Sequence, residues 1–139
     1  MSEIQITEDE KARKIQENTD YNLPVYSKWA DFTKEALEMI KRFPVEEKYV
    51  FSAECRKHLF AIGPLILAAN EEFDIQAKKN AADKTCAYAR TVRADFKLAL
   101  AFGYISFERM QRICIKFIEL GKMIGGWKRS FKPEGYYKG

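Results

Sequence analysis

Four stretches of this chain carry apolar side chains at three- and four-residue spacing, separated by short breaks rich in charge, proline or glycine. That pattern leaves few folds open. Residues three and four apart share one face of an α-helix, whereas a half-buried strand alternates every second residue. No segment shows convincing two-residue alternation, so the chain reads as all-α.

The first firm helix starts at Leu23-Pro24, because proline is tolerated in a first turn where its missing N–H would be unpaired anyway. Tyr26, Trp29, Phe32, Thr33, Ala36, Leu37 and Ile40 mark its buried face, and it ends near Arg42, before Phe43-Pro44. The second helix is predicted to begin in Val45-Glu46-Glu47, where acids suit the helix dipole. It runs through Tyr49, Phe51, Cys55, Leu59, Ile62, Ile66 and Leu67 to about Glu72. Pro64 lies inside it and predicts a kink. The third helix runs from Ile75 or Lys78 to Phe102, burying Thr85, Tyr88, Ala89, Val92, Phe96, Ala99 and Phe102. Gly103 is its stop. Ser106 caps the fourth helix, which spans about 106–130 with the stripe Met110, Ile113, Cys114, Phe117, Leu120, Gly121, Ile124 and Trp127. Four amphipathic helices with short turns predict an antiparallel, up-down-up-down four-helix bundle.

The chain has 139 residues, enough for one domain that buries its own core without disulfides or metal. Residues 1–21 read as a flexible acidic arm, with a short helix near Glu8 to Glu17, 22–131 as the bundle, and 132–139 as a flexible tail. No apolar run approaches the roughly 20 residues of a membrane span, and the polar, acidic start is not a secretory signal. Cys55, Cys86 and Cys114 are odd in number and sit in apolar helical patterns, which predicts free thiols in a reducing compartment, the cytoplasm by default.

Catalytic sets are missing. His58 is the single histidine, and its only acidic neighbour at close spacing, Glu54, is not the Glu-x-x-His pair of di-iron bundles. The cysteines lack metal-binding spacing, and no phosphate-cradling glycine loop precedes a helix. We therefore expect no enzyme, no metal, no cofactor and no small-molecule substrate.

What remains is surface charge. The first 20 residues hold three bases and six acids, net −3, and the remaining 21 bases and 14 acids give +7. A basic body favours a polyanionic partner. Arg90, Arg93 and Lys97 are spaced i, i+3, i+7 on the third helix, and Arg109, Arg112 and Lys116 repeat that spacing on the fourth. If the two rows merge, they form one basic face for nucleic acid. Lys122, Lys128, Arg129 and Lys132 extend it, and Tyr136 and Tyr137 offer rings for stacking on unpaired bases. Ordinary solvated helix faces are the plainer reading of the same charges, but acids near the rows are few (Asp83, Asp95, Glu108, Glu119). Gly121, Gly125 and Gly126 weaken the fourth helix by about 1 kcal/mol each. Close approach of another helix, from within the bundle or from a second subunit, is the expected return at Gly121 and Gly125, beside Trp127.

Three segments carry a family resemblance: Phe43-Pro44-Val45-Glu46-Glu47-Lys48-Tyr49, the run Leu98 to Phe107, and the run Ile118 to Ser130. Their order and spacing over about 22–131 resemble a superfamily of small four-helix bundles. It contains proteins encoded in ribosomal RNA intervening sequences and the accessory variability determinant proteins of diversity-generating retroelements. Intervening-sequence proteins usually carry Ser-Ile-Pro-Ser-Asn-Ile-Ala-Glu-Gly at the end of the second helix. Here the stretch Ile62 to Glu71 keeps the proline and loses the polar signature. The basic third helix and the Gly-Gly-Trp-Lys-Arg ending look more like the retroelement branch. That resemblance implies a non-catalytic homopentameric barrel that binds a reverse transcriptase and its template RNA, and possibly the cDNA, during mutagenic cDNA synthesis. It also implies nucleic-acid contact through Arg90, Arg93, Lys97, Arg109, Arg112 and Lys116. The alternatives are an intervening-sequence-type protein, or an oligomeric protein-interaction scaffold without a direct RNA role.

Overall fold

A computed structural model of the chain describes residues 7–10 and 23–131. Within them lie four long helices: α1 (Pro24–Ile40), α2 (Phe51–Glu71), α3 (Ile75–Ala101) and α4 (Phe107–Arg129), with a single 3-10 turn at Val45–Glu47. No strand occurs among the described residues. The N-terminal arm is seen only at 7–10, where Thr7 and Glu10 cap each other: the Glu10 N–H donates to Thr7 Oγ1 (3.0 Å) and the Thr7 N–H to Glu10 Oε2 (3.3 Å). The other residues expected in that short helix, the tail and its Tyr136 and Tyr137 lie outside the described residues.

Each helix packs on its neighbours in sequence, and α1 closes the ring against α4. Cross-helix contacts run antiparallel at every seam. Trp29 meets Leu59 while Phe43 meets Phe51, His58 meets Asp95, and Asp83 meets Lys128 while Arg93 meets Phe117. Lys28 meets Glu119 and Glu35 meets Arg112. The core runs down the axis through Leu59, Ile62, Ile66, Leu120 and Ile124, all fully buried. Burying each such side chain stabilises the fold by roughly 1.5–3 kcal/mol.

Ends and breaks follow local chemistry. Gly103 takes φ 78°, the left-handed conformation that favours glycine, and turns the chain from α3 into α4. Ser106 accepts the Arg109 N–H (3.2 Å) and caps α4, as expected. Asp74 caps α3 by accepting the Ala77 N–H (2.8 Å), which places the start at Ile75.

The second helix begins later than its acids predict. Val45–Glu47 forms only the 3-10 turn, Val50 breaks the run with φ −117° and ψ −91°, and α2 starts at Phe51. The reason is tertiary. Phe43 stacks on Phe51 (centroids 5.6 Å), and Tyr104 Oη donates to Glu47 Oε2 (2.6 Å), which folds the connection over the end of the bundle. Tyr49, expected on the buried face, is 83% exposed in consequence. Tyr88 and Phe102, also expected inside, are 39% and 53% exposed, because α3 buries a narrower stripe through Ala82, Thr85, Ala89, Val92, Phe96 and Ala99. α2 stays helical through Pro64. That residue sits on the exposed face of the helix.

Candidate nucleic-acid interface

The third and fourth helices present their basic rows in opposite directions. α3 buries Ala89, Val92 and Phe96, so Arg90, Arg93 and Lys97 fall on the flank that turns toward α4. All three are exposed, and none makes an ion pair among the described residues. Arg93 lies over the Phe117 ring, 5.7 Å from its centroid, which steadies the guanidinium beside an apolar surface.

α4 buries Met110, Ile113, Leu120 and Ile124. Relative to that stripe, Cys114, Phe117, Gly121 and Lys128 turn toward α3, whereas Arg109, Arg112 and Lys116 turn toward α1. Arg112 pairs with Glu35 Oε1 (3.4 Å) and Lys116 with Glu35 Oε2 (3.3 Å). Arg109 shares a shallow cleft with Glu35, Glu38, Met39, Arg42 and Arg112. The expected merger of the two rows into one strip therefore does not occur. The body of α4 stands between them, and its row is partly neutralised by α1.

The α3 row instead borders α4 at Phe117, under Arg93, and the groove between the two helices is bare only farther along, at Gly121 and Gly125. A Cβ on Gly121 would meet no atom within 4 Å, and one on Gly125 would meet only the Arg129 guanidinium at 3.4 Å. These glycines are thus not needed for packing inside the bundle, which corrects one of the two returns expected of them. The close-approach glycine is Gly63 on α2, where a Cβ would lie 2.6 Å from the Trp29 ring. Trp29 in turn donates from Nε1 to the Leu59 carbonyl (3.1 Å). Trp127 packs against the core and stands edge-on to Phe131 (5.1 Å). The groove ends in further cations: Lys79, Lys128 and Arg129 line its last turn, with Lys128 bonded to Asp83. Lys79 carried no signal in the sequence beyond its charge, because only the α3/α4 register brings it opposite the end of α4.

Several other titratable groups are engaged or buried. His58 is held between α2 and α3, its Nδ1 2.7 Å from Asp95 Oδ2 and its Nε2 3.4 Å from Glu54 Oε1. Beside them, burial, with the nearby Asp95 carboxylate, pushes the Cys55 thiol up to about 12. Burial also raises Cys86, against the opposing pull of Arg90. The Glu47 hydrogen bond raises the Tyr104 phenol. Among the described residues no three His, Cys, Asp or Glu side chains are arranged to hold a metal, and no helix is long and apolar enough to cross a membrane.

No protein-family model matches the chain, and no curated protein matches it significantly.

Proposed function

We propose that the chain is a non-catalytic nucleic-acid-binding protein that serves as the accessory subunit of a diversity-generating retroelement, partnering its reverse transcriptase and template RNA in the cytoplasm. The observation that carries the nucleic-acid half is the exposed row Arg90, Arg93 and Lys97, which makes no ion pair among the described residues. Unpaired cations along one helix give sequence-independent, salt-sensitive phosphate contacts, and Lys79 and Arg129 continue the charge. From Lys79 to Lys97 α3 rises on the order of 27 Å at 1.5 Å per residue, room for several nucleotides of one strand. The retroelement half rests on the three resembling segments and on the basic third helix.

The same resemblance supports a homopentamer. Leu98, Ile115 and Ile118, which are 44%, 59% and 52% exposed, supply apolar surface for it. That surface also favours the second reading, an oligomeric scaffold without direct RNA contact.

An electrophoretic shift of RNA across a salt series tests the first reading. The expected result is a complex at low salt whose affinity falls by about a hundredfold across a four-fold rise in salt, as for a protein with about five phosphate contacts. No complex at low salt, together with an oligomer by light scattering, leaves the scaffold.

A further inference from the structure

Where α3 begins and α4 ends, Lys79, Gly125, Lys128, Arg129 and Phe131 line an open cleft of about 480 Å³. That volume suits a small organic ligand. Two of its cations have an internal reason to be there. Lys128 and Arg129 sit in the last turn of α4, where positive charge complements the carbonyl end of the helix, and Lys128 also bonds Asp83.

Lys79 has no such reason. It lies just past the first turn of α3, where the helix dipole gives a cation no advantage. It is half-buried and makes no ion pair among the described residues. Its neighbour Lys78 differs: its Nζ donates to the Ala69 carbonyl (2.9 Å) and the Asn70 carbonyl (3.3 Å), and it lies 5.1 Å from the Phe131 ring centroid. Lys78 therefore fastens the end of α2 and lies against Phe131, while Lys79 lines the cleft. Gly125 adds no bulk to the cleft wall, and a Cβ there would meet only the Arg129 guanidinium at 3.4 Å.

We propose that this cleft binds a nucleoside phosphate. Lys79 and Arg129 grip the phosphate oxygens, the arginine through its planar pair of donors, and the Phe131 ring lies beside the base. The ligand is either a free nucleotide or the phosphorylated end of an RNA strand, which share this chemistry. The proposal does not rest on strand binding along Arg90, Arg93 and Lys97, which lie farther along the groove.

The test is calorimetric titration of the full chain with ATP, pyrophosphate and adenosine, and with end-phosphorylated and unphosphorylated forms of one short RNA. Phosphate-bearing ligands are expected to bind and adenosine to stay silent. Lys79→Ala with Arg129→Ala should weaken that binding by about tenfold or more, the loss of two charge-assisted contacts. Gly125→Leu should weaken it by filling the cleft, with the helical circular-dichroism signal unchanged. The triple variant Arg90→Glu, Arg93→Glu, Lys97→Glu should lose strand binding and keep ATP or pyrophosphate binding, so the two readings fail separately. If ATP is silent and the triple variant still prefers the end-phosphorylated RNA, the ligand is a strand end. Absence of binding by every phosphate-bearing ligand, or unchanged affinity in the Lys79/Arg129 double variant, overturns the proposal.

Discussion

Arg90, Arg93 and Lys97 on α3 and Arg109, Arg112 and Lys116 on α4 repeat one spacing, yet only the second row meets carboxylates. Glu35 on α1 reaches both Arg112 and Lys116, and it is itself well covered, its side chain 20% exposed. The α3 row is exposed and makes no ion pair among the described residues, Arg93 lies over the Phe117 ring of α4, and the nearby acid Asp83 is engaged by Lys128. Equal sequence patterns thus give an open cationic edge in one place and a charge-paired seam in the other. Net charge along a helix says little about its availability; the neighbouring helix decides that.

The largest expected effect is on RNA affinity. Reversing Arg90, Arg93 and Lys97 to glutamate should cost at least about a hundredfold and lower the salt slope by about three, one for each lost phosphate contact. Reversing Arg109, Arg112 and Lys116 should cost only a few-fold. Equal losses from the two sets, read by filter binding on well-folded variants, break the contrast between the rows.

A second contrast separates the glycines. Gly63→Ala drives a Cβ into the Trp29 ring at 2.6 Å and should lower stability by about 1–3 kcal/mol. Gly121→Ala meets nothing within 4 Å and should raise it by about 1 kcal/mol, the ordinary helix preference. Thermal melts of the two variants moving in the same direction would contradict this assignment of open and closed faces.

The thiols sharpen the same distinction. Cys55 is 2% exposed and its thiol is pushed up to about 12, whereas Cys86 and Cys114 are half-buried. Native protein at pH 8 should therefore leave Cys55 unlabelled by a thiol reagent while at least one of the others reacts. The sign of the pH effect follows. The unfolded chain loses the Cys55 proton near 9.0 and the folded chain keeps it to about 12, so this group's contribution is full below pH 9 and declines as pH rises through that window. Cys55→Ala should flatten that alkaline decline in denaturant midpoints.

The smallest effect concerns Glu35. Glu35→Gln releases Arg112 and Lys116, so RNA affinity should rise slightly, with a stability change under about 1 kcal/mol. A marked fall in affinity would mean that Glu35 organises a binding surface on the α1 side.

Much of the fold was legible in the amino-acid order alone. The apolar spacing, Pro24, Gly103 and Ser106 were sufficient to mark four helices and most of their ends, because periodicity, φ restriction and capping act within a few residues. The start of α2 was misread, since ring packing of Phe43, Phe51 and Tyr104 across the bundle end overrides the preference of Val45-Glu46-Glu47 for a helix start.

The six candidate cations were legible as rows, and their separation was not. Periodicity alone requires that Arg112 and Cys114 lie on opposite flanks of the fourth helix. Which flank meets α3 and which meets α1 depends on the hand in which four helices close around their core, and that is decided by side-chain interlocking between segments far apart in the chain. The bundle's closure turned Glu35 onto one row, left the other without an ion pair among the described residues, and brought Lys79 to the end of α4.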